Sequence, residues 1–570
     1  MGRKLGLVAL FATYLVALSI GGSILDSPAL ASPSQSHQQP HQQPSWYPKK
    51  SCREAWSNRD LAKYDHSRDA NVTADGNRGY ASYLSRLKKS GIDRRSCFKD
   101  WTVLVYMAGD NDLSPYAIWD LEEMEGRFES GRYAGSTLKS DLVVQADTAG
   151  ATGIRRLHIF QREDRPYVAA TSINEFKNRG PETVQSPIAE LLPESRPSRQ
   201  GLQDFLQWGV QQYPADRYMV VIWGHGQGWL GAPIEITATD VANLHAAAPS
   251  GQLTTALNQV ALLPQPPTTP SAGSFGGIAI DPATGNGLSV DDLNQALTAT
   301  VEITLEGRPL DVYASDACLM QMAEVAREIS DTSRYIVGSA QVQSYLGLPY
   351  RRLMYELNTG RFLSGGALVG KSDEALLMAK MLPLLTEQSL DPIRGQQGRV
   401  EPKAVETFTM SAISTGALNQ QLIPSLADFS KALQDYLIED QIRGFSIGAV
   451  VKAAPSFMGG GKELGSFISL IEIARLEDES RRGNVSLASK RLARSVVQLK
   501  HALDETVIER RLGTRYQTVE KSFHLLGYRG LGIWIPNGDR EFKRRSPDFA
   551  QSTLHQETDW QTWLKSALGL

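Results

Sequence analysis

Cysteine is scarce in this chain of 570 residues: there are three, Cys52, Cys97 and Cys318. No Cys-x-x-Cys pair occurs and the nine histidines are scattered. A disulfide-built scaffold is thereby excluded, and a zinc site has no support. Excess charge is missing too, since 59 Lys and Arg against 62 Asp and Glu leave a net charge of −3. Such a balance offers no field for nucleic acid or an anionic membrane surface. The most local absence is of cations: no Lys or Arg stands between Arg217 and Arg308. What remains, 41% hydrophobic and 21% charged residues, is an ordinary globular composition, long enough for three or four units of about 150 residues.

The one long apolar run lies at the N-terminus. "MGRK" is a short positive segment, "LGLVALFATYLVALSIGG" follows, and "SPALAS" supplies small residues. Cleavage after Ala31 fits a secretory signal peptide over residues 1–31. The run is also near the length that spans a bilayer, so an uncleaved anchor is the alternative. No cysteine follows it closely, which argues against a lipoprotein anchor. The expected location is therefore secreted or periplasmic, with no stable membrane association once the signal is removed. Export means an oxidising compartment. Cys52 and Cys97 could pair there, leaving Cys318 as either a buried core thiol or a reactive one.

Residues 32–97 open with "SPSQSHQQPHQQPSWYPKK", too poor in apolar residues to bury a core, and read as a linker followed by a small N-terminal segment. From Trp101 the pattern alternates. "WTVLVYMAG", "SDLVVQAD", "RYMVVIWG", "GGIAID", "LDVYASD" and "RYIVGSA" read as buried strands, and "IRRLHIFQR" with "RPYVAATS" as a hairpin. Between them, "SPYAIWDLEEMEG" and "RQGLQDFLQWGVQQY" have helical spacing. Ser198 is a cap for the second, and Ser289 with Asp292 a capping pair for "LSVDDLNQAL". Strands separated by helices predict an α/β fold whose mostly parallel sheet is covered on both faces. The predicted organisation is a catalytic domain over 98–360, interrupted by an Ala-, Thr- and Pro-rich loop over 230–275. A helix-rich region over 361–570 then completes or flanks it.

Two strand ends carry chemistry. "YMVVIWGHGQGW" runs into His225, flanked by Gly224, Gly226 and Gly228. "LDVYASDACLM" ends at Asp316, and helical spacing predicts that Cys318 opens the next helix, whose N-terminus would favour thiolate. If these strands are neighbours, His225 and Cys318 meet at one sheet edge, the minimum equipment for nucleophilic acyl transfer. The backbone N–H groups of Gly226 and Cys318 would then face the oxyanion. The glycines do not have dinucleotide-binding spacing, and "SFMGGGKELGS" lacks the residues of a phosphate loop.

The blocks "WTVLVYMAGDNDL", "YMVVIWGHGQGW" and "SDACLMQMAEVAREISDTSRYIVGSAQVQSYLGLPY", with the late "GLGIWIPNG", resemble the clostripain family of cysteine peptidases, within the caspase-like group. The resemblance implies a caspase-like sheet and a thiol endopeptidase acting on protein or peptide substrates. It implies catalytic roles for Cys318, His225 and Gly226, no required cofactor, and cleavage after Arg or Lys. Calcium dependence, known for part of the family, has no support from an oxygen-ligand loop in this sequence. Asp316 is the first candidate for the pocket that receives the basic side chain, and a helix cap is its alternative role. Ser339 and Asp110, at two other strand ends, are weaker pocket candidates. Gln341 and Gln343 stand where the family commonly has an acidic residue. A catalytically inactive binding module on the same scaffold is the rival expectation, and retention of both Cys318 and His225 favours the enzyme.

Overall fold

The computed structural model describes residues 99–126, 135–136, 139–160, 179–229, 277–281, 285–344, 346–359, 373–390, 408–440, 447–457, 461–513, 527–536 and 538–568. All of them fall in the compact unit Pro44–Leu570. The N-terminal leader, the candidate pair Cys52 and Cys97, and the whole loop over 230–275 lie outside the described residues.

One nine-stranded sheet organises the chain. Its strands are β1 (Lys99–Gly109), β2 (Ser140–Thr148), β3 (Ile154–His158), β4 (Ile188–Leu192), β5 (Ala215–Trp223), β9 (Leu310–Asp316), β10 (Ser333–Gly338), β11 (Thr409–Ser414) and β13 (Val507–Leu512). They are ordered β13-β11-β10-β9-β5-β1-β2-β3-β4. The five central strands, β10 to β2, run parallel. The outer pairs on both sides are antiparallel. β11 and β13 come from beyond residue 360, so the C-terminal region extends the same sheet.

The sequence builds the centre of this sheet by burying both faces of each strand, and so its apolar runs are continuous. Leu104, Tyr106 and Ala108 of β1 and Val220 and Ile222 of β5 point to one side. Helices α2 (Arg199–Gln212) and α3 (Val290–Ala299) pack there, with C-terminal helices α7 (Ile423–Asp440), α8 (Leu464–Arg482), α9 (Leu487–Thr506) and α10 (Trp560–Leu568). Val103, Val105 and Met107 of β1 and Val221 of β5 face α1 (Ser114–Glu125), α5 (Tyr350–Thr359) and α6 (Glu374–Leu390) on the other. Each fully buried Val or Leu contributes roughly 1.5–3 kcal/mol, so these two layers, more than helix propensity, hold the fold. The predicted caps form: Ser198 accepts from Gly201 N, and Ser289 and Asp292 make a reciprocal capping box.

Two expectations change, those for "GGIAID" and for the hairpin of β3. "GGIAID" forms β7 (Gly277–Asp281) outside the main sheet, antiparallel to β6 (His225–Gly228) and β8 (Asn286–Leu288). "GLGIWIP" contributes β14 (Gly532–Trp534), which pairs with β12 (Gly461–Glu463). The antiparallel partner of β3 other than β2 is β4, while "RPYVAATS" lies outside the described residues. Among the described residues no helix is long and apolar enough to cross a membrane.

Candidate active site

Strands β9, β5 and β1 are adjacent and parallel, so their C-terminal ends share one rim. Register does the positioning. Trp223 of β5 is paired with Asp316 of β9, and Gly224 N–H donates to Asp316 O at 3.2 Å. His225 and Cys318 each stand two residues past that rung. Gly226 passes so close to the nucleophile segment that a Cβ there would lie 2.3 Å from Cys318 O and 3.2 Å from Cys318 N. Only glycine fits this approach. The His225 ring is mostly buried, and its Nε2 lies 2.8 Å from Asp112 Oδ1 in the loop after β1.

Cys318 does not open a helix. The helix that follows, α4, spans only Ala323–Glu328. Residues 317–322 instead form an extended loop whose backbone bonds go to distant segments. Leu319 N–H donates to Gln341 O at 3.2 Å and Gln321 N–H to Ser339 O at 3.0 Å, while Gln321 O accepts from Gly532 N of β14 at 2.9 Å. Leu319 has φ of 63°, a conformation costing a bulky side chain about 1–3 kcal/mol, which these bonds sustain. Without a helix N-terminus the expected stabilisation of thiolate is missing. Burial pushes the Cys318 thiol up to about 11, the Asp316 charge adds to the rise, and the Gln343 N–H at 3.4 Å from Sγ opposes it. Cys318 therefore rests as a neutral thiol.

The sequence over 105–240 and 271–364 matches the model of the clostripain family, Peptidase_C11. Over these residues the chain is similar to the clostripain family. This part is a cysteine-type peptidase domain, a hydrolase. No curated protein matches the chain. Among solved structures it is similar to a secreted C11 cysteine protease from Bacteroides thetaiotaomicron in complex with an irreversible peptide inhibitor, at 18% identity and a TM-score of 0.45 over 81% of this chain and 99% of that one. It is also similar to an inactive zymogen C11 protease from Parabacteroides distasonis, at 17% identity and a TM-score of 0.46 over 81% and 98%.

In this clostripain-like domain the pocket candidates separate. Asp316 is buried and caps no helix. Its Oδ1 accepts from Gln343 Nε2 at 2.5 Å, and its Oδ2 from Leu348 N at 3.0 Å and Tyr350 OH at 2.7 Å. Burial lifts its pKa to about 6 against the Leu348 and Tyr350 bonds. Two further carboxyls, absent from the sequence-based expectation, lie beside it on α1. A Cβ at Gly347 would sit 2.8 Å from Asp120 Oδ2 and 2.9 Å from Asp316 Oδ2. Burial, then the charges of Asp316 and Glu123, hold Asp120 well above the usual carboxylate range, while the Trp223 indole N–H at 2.6 Å opposes. Burial raises Glu123 to about 7, with Arg351 opposing. Among the described residues no hydrogen-bond donor reaches the buried acceptors Asp120 Oδ1 and Gln343 Oε1.

Ser339 is sealed instead of lining an opening: its hydroxyl donates to Gln341 O at 2.8 Å and lies 3.0 Å from Thr409 Oγ1. Asp110 is exposed at the end of β1. Its charge acts on Asp147 of β2, which burial first, then Asp110, Glu194 and Asp281, raise to about 6. The carboxylate that reaches the His225 ring is Asp112, two residues further along. The "GDND" stretch held the signal, as two acids at a strand end: Asp110 is the one expected at the pocket, and Asp112, not singled out, is the one that meets the imidazole.

Proposed function

We propose that this clostripain-like peptidase is an exported endopeptidase in which Cys318 and His225 form the catalytic dyad and cleavage follows Arg or Lys. The observation that carries the dyad is the Trp223–Asp316 rung, which brings both residues to one rim with the Gly226 backbone against Cys318. In the first step Sγ bonds to the scissile carbonyl carbon while the thiol proton passes to His225. The imidazolium then gives that proton to the amide nitrogen, the C–N bond breaks, and a thioester remains. Water attacks the thioester carbonyl with His225 as base, the C–S bond breaks to release the carboxylic acid, and the proton held by His225 returns to the sulfur. The N–H groups of Gly226 and Cys318 stand nearest the developing oxyanion.

Preference for a basic residue is supported by the buried acids. Asp316, Asp120 and Glu123 place three buried carboxyls beneath the nucleophile loop, which an arriving cation would draw into their ionised form, and the two acceptors without donors match a donor-rich guanidinium or ammonium group. Gln343 covers one Asp316 oxygen, so the cation would meet an amide oxygen alongside the carboxylates. Export is supported by the leader pattern over residues 1–31.

The test is cleavage-site profiling with a mixed peptide library on wild type, Cys318→Ala and His225→Ala. Cleavage after Arg and Lys in wild type, with both variants silent, is the expected outcome. Undiminished cleavage by Cys318→Ala overturns the dyad. Cleavage restricted to sites after neutral or acidic residues overturns the pocket assignment.

A further inference from the structure

Three adjacent strands meet at the catalytic rim, and the dyad uses two of them. The third, β1, delivers Asp112. We propose that Asp112 is the positioning residue for His225, so that the working unit is an Asp112–His225–Cys318 triad with one member after each of β1, β5 and β9. This inference rests on the dyad reading above and deepens it.

The imidazole has two nitrogens, and Asp112 settles their roles. Oδ1 lies 2.8 Å from Nε2. A carboxylate can only accept, so Nε2 carries the hydrogen and Nδ1 is left with the lone pair that a base requires. Among the described residues no other hydrogen-bond partner holds the ring. Its orientation about χ2 is therefore set by Asp112.

The loop carrying Asp112 is itself fixed. Asn111 Oδ1 accepts from Leu113 N at 2.8 Å, Asn111 Nδ2 donates to Ala108 O at 3.2 Å, and Asn111 O accepts from Ser114 N at 3.0 Å. Ser114 Oγ in turn accepts from Ala149 N at 3.1 Å, tying the turn to the end of β2. Asn111 thus spends both ends of its side chain on the turn and presents Asp112 to the rim.

The electrostatics give the carboxylate work to do. The thiol starts neutral, so attack must create an imidazolium in a mostly buried place. The nearest acid on the cysteine's own strand, Asp316, opposes thiolate. Asp112 bonds to the ring itself, where its charge can balance the imidazolium that attack creates.

The experiment uses the full chain. Cys318 alkylation by iodoacetamide is followed at its own peptide by mass spectrometry between about pH 5 and 9, for wild type, Asp112→Asn, Asp112→Ala and Asp112→Glu. kcat and KM are measured on a peptide with Arg at the cleaved bond, alongside Cys318→Ala. The expected result is that Cys318 alkylation near pH 7 slows about threefold or more in the Asn and Ala variants. kcat should fall roughly 10- to 100-fold with KM within about twofold, and Asp112→Glu should recover part of the loss. Asn keeps the shape of the side chain, which guards against a folding defect in the Ala variant. Profiles and kcat matching wild type within about twofold overturn the proposal, as does a loss confined to KM. If Cys318→Ala itself still hydrolyses the peptide, the dyad falls first. If Cys318→Ala is dead and the Asp112 series is flat, only the triad falls.

Discussion

The sheet holds a histidine–aspartate pair at each of its ends, and they serve opposite purposes. At the N-terminal edge of β1 and β2, His158 Nε2 lies 2.7 Å from Asp141 Oδ1, and Lys99 Nζ donates to the same oxygen at 2.7 Å. At the other end His225 meets Asp112 at 2.8 Å. The distances are alike, so geometry alone does not distinguish them. Exposure does: the Asp141 side chain is 4% exposed and His158 fully buried, whereas Asp112 is 37% exposed. Phe160 and Tyr213 clamp His158, with ring centroids 4.5 and 4.7 Å away. One pair is sealed between aromatic rings and bonded to the Lys99 side chain. The other stands at the rim where β1, β5 and β9 end, with its carboxylate more than a third exposed.

The largest expected effect breaks the sealed pair. Burial alone would raise Asp141, but the Lys99 charge and the His158 hydrogen bond outweigh it and hold the carboxyl well below its usual range. Asp141→Ala leaves the Lys99 ammonium without its carboxylate in a dry site, which costs about 3–5 kcal/mol. A fall of that size in the urea-unfolding free energy is the expected outcome. A loss below about 1 kcal/mol would mean that water already reaches this edge.

A second prediction sharpens the contrast through pH. Glu324, on α4 directly after the loop over 317–322, accepts from Trp534 N at 2.7 Å, and among the described residues its other oxygen has no donor. Burial lifts its pKa to about 8 against that bond. A carboxyl raised in the folded state contributes stability that is fully present below its unfolded pKa of about 4.3. That contribution is lost as pH rises through about 8. Asp141 has the opposite sign: its contribution is present at neutral pH and lost on acidification. Glu324→Gln keeps the size of the protonated side chain without the ionisation. Its unfolding free energy should therefore lack a decline on the order of a few kcal/mol that wild type shows between about pH 5 and 9. Parallel curves for the two proteins would refute it.

The two ends also differ in how much of them was legible in the sequence. β5 and β9 could be read closely because strands buried on both faces are continuous apolar runs, and their ends at His225 and Asp316 followed. The loop after β9 could not. "CLMQMAEVAREI" has helical apolar spacing, yet Leu319 and Gln321 give their N–H groups to Gln341 and Ser339. That non-local pairing leaves helix only from Ala323. The same competition explains Ser339, whose strand-end position suggested a pocket but whose hydroxyl belongs to this bracing. Asp120 and Glu123 were hidden because acids in an amphipathic helix ordinarily face water. Here α1 buries both of them against β5 and Asp316.

The smallest expected effect is on stability at the catalytic end. An ion pair with one partner exposed by more than a third is screened by solvent, and holding it ordered costs side-chain entropy, which together leave a net contribution of at most about 1 kcal/mol. Asp112→Ala should therefore unfold in urea within about 1 kcal/mol of wild type, even as it slows turnover. Asn111, which holds the turn, is untouched by the change, so the loop has no reason to collapse. The comparison then becomes quantitative: a histidine–aspartate pair of the same length is worth several kcal/mol to the fold at one end of the sheet and almost nothing at the other. A large loss of stability in Asp112→Ala, comparable to that of Asp141→Ala, would show instead that both pairs are structural. The rim's openness would then no longer account for the difference between them.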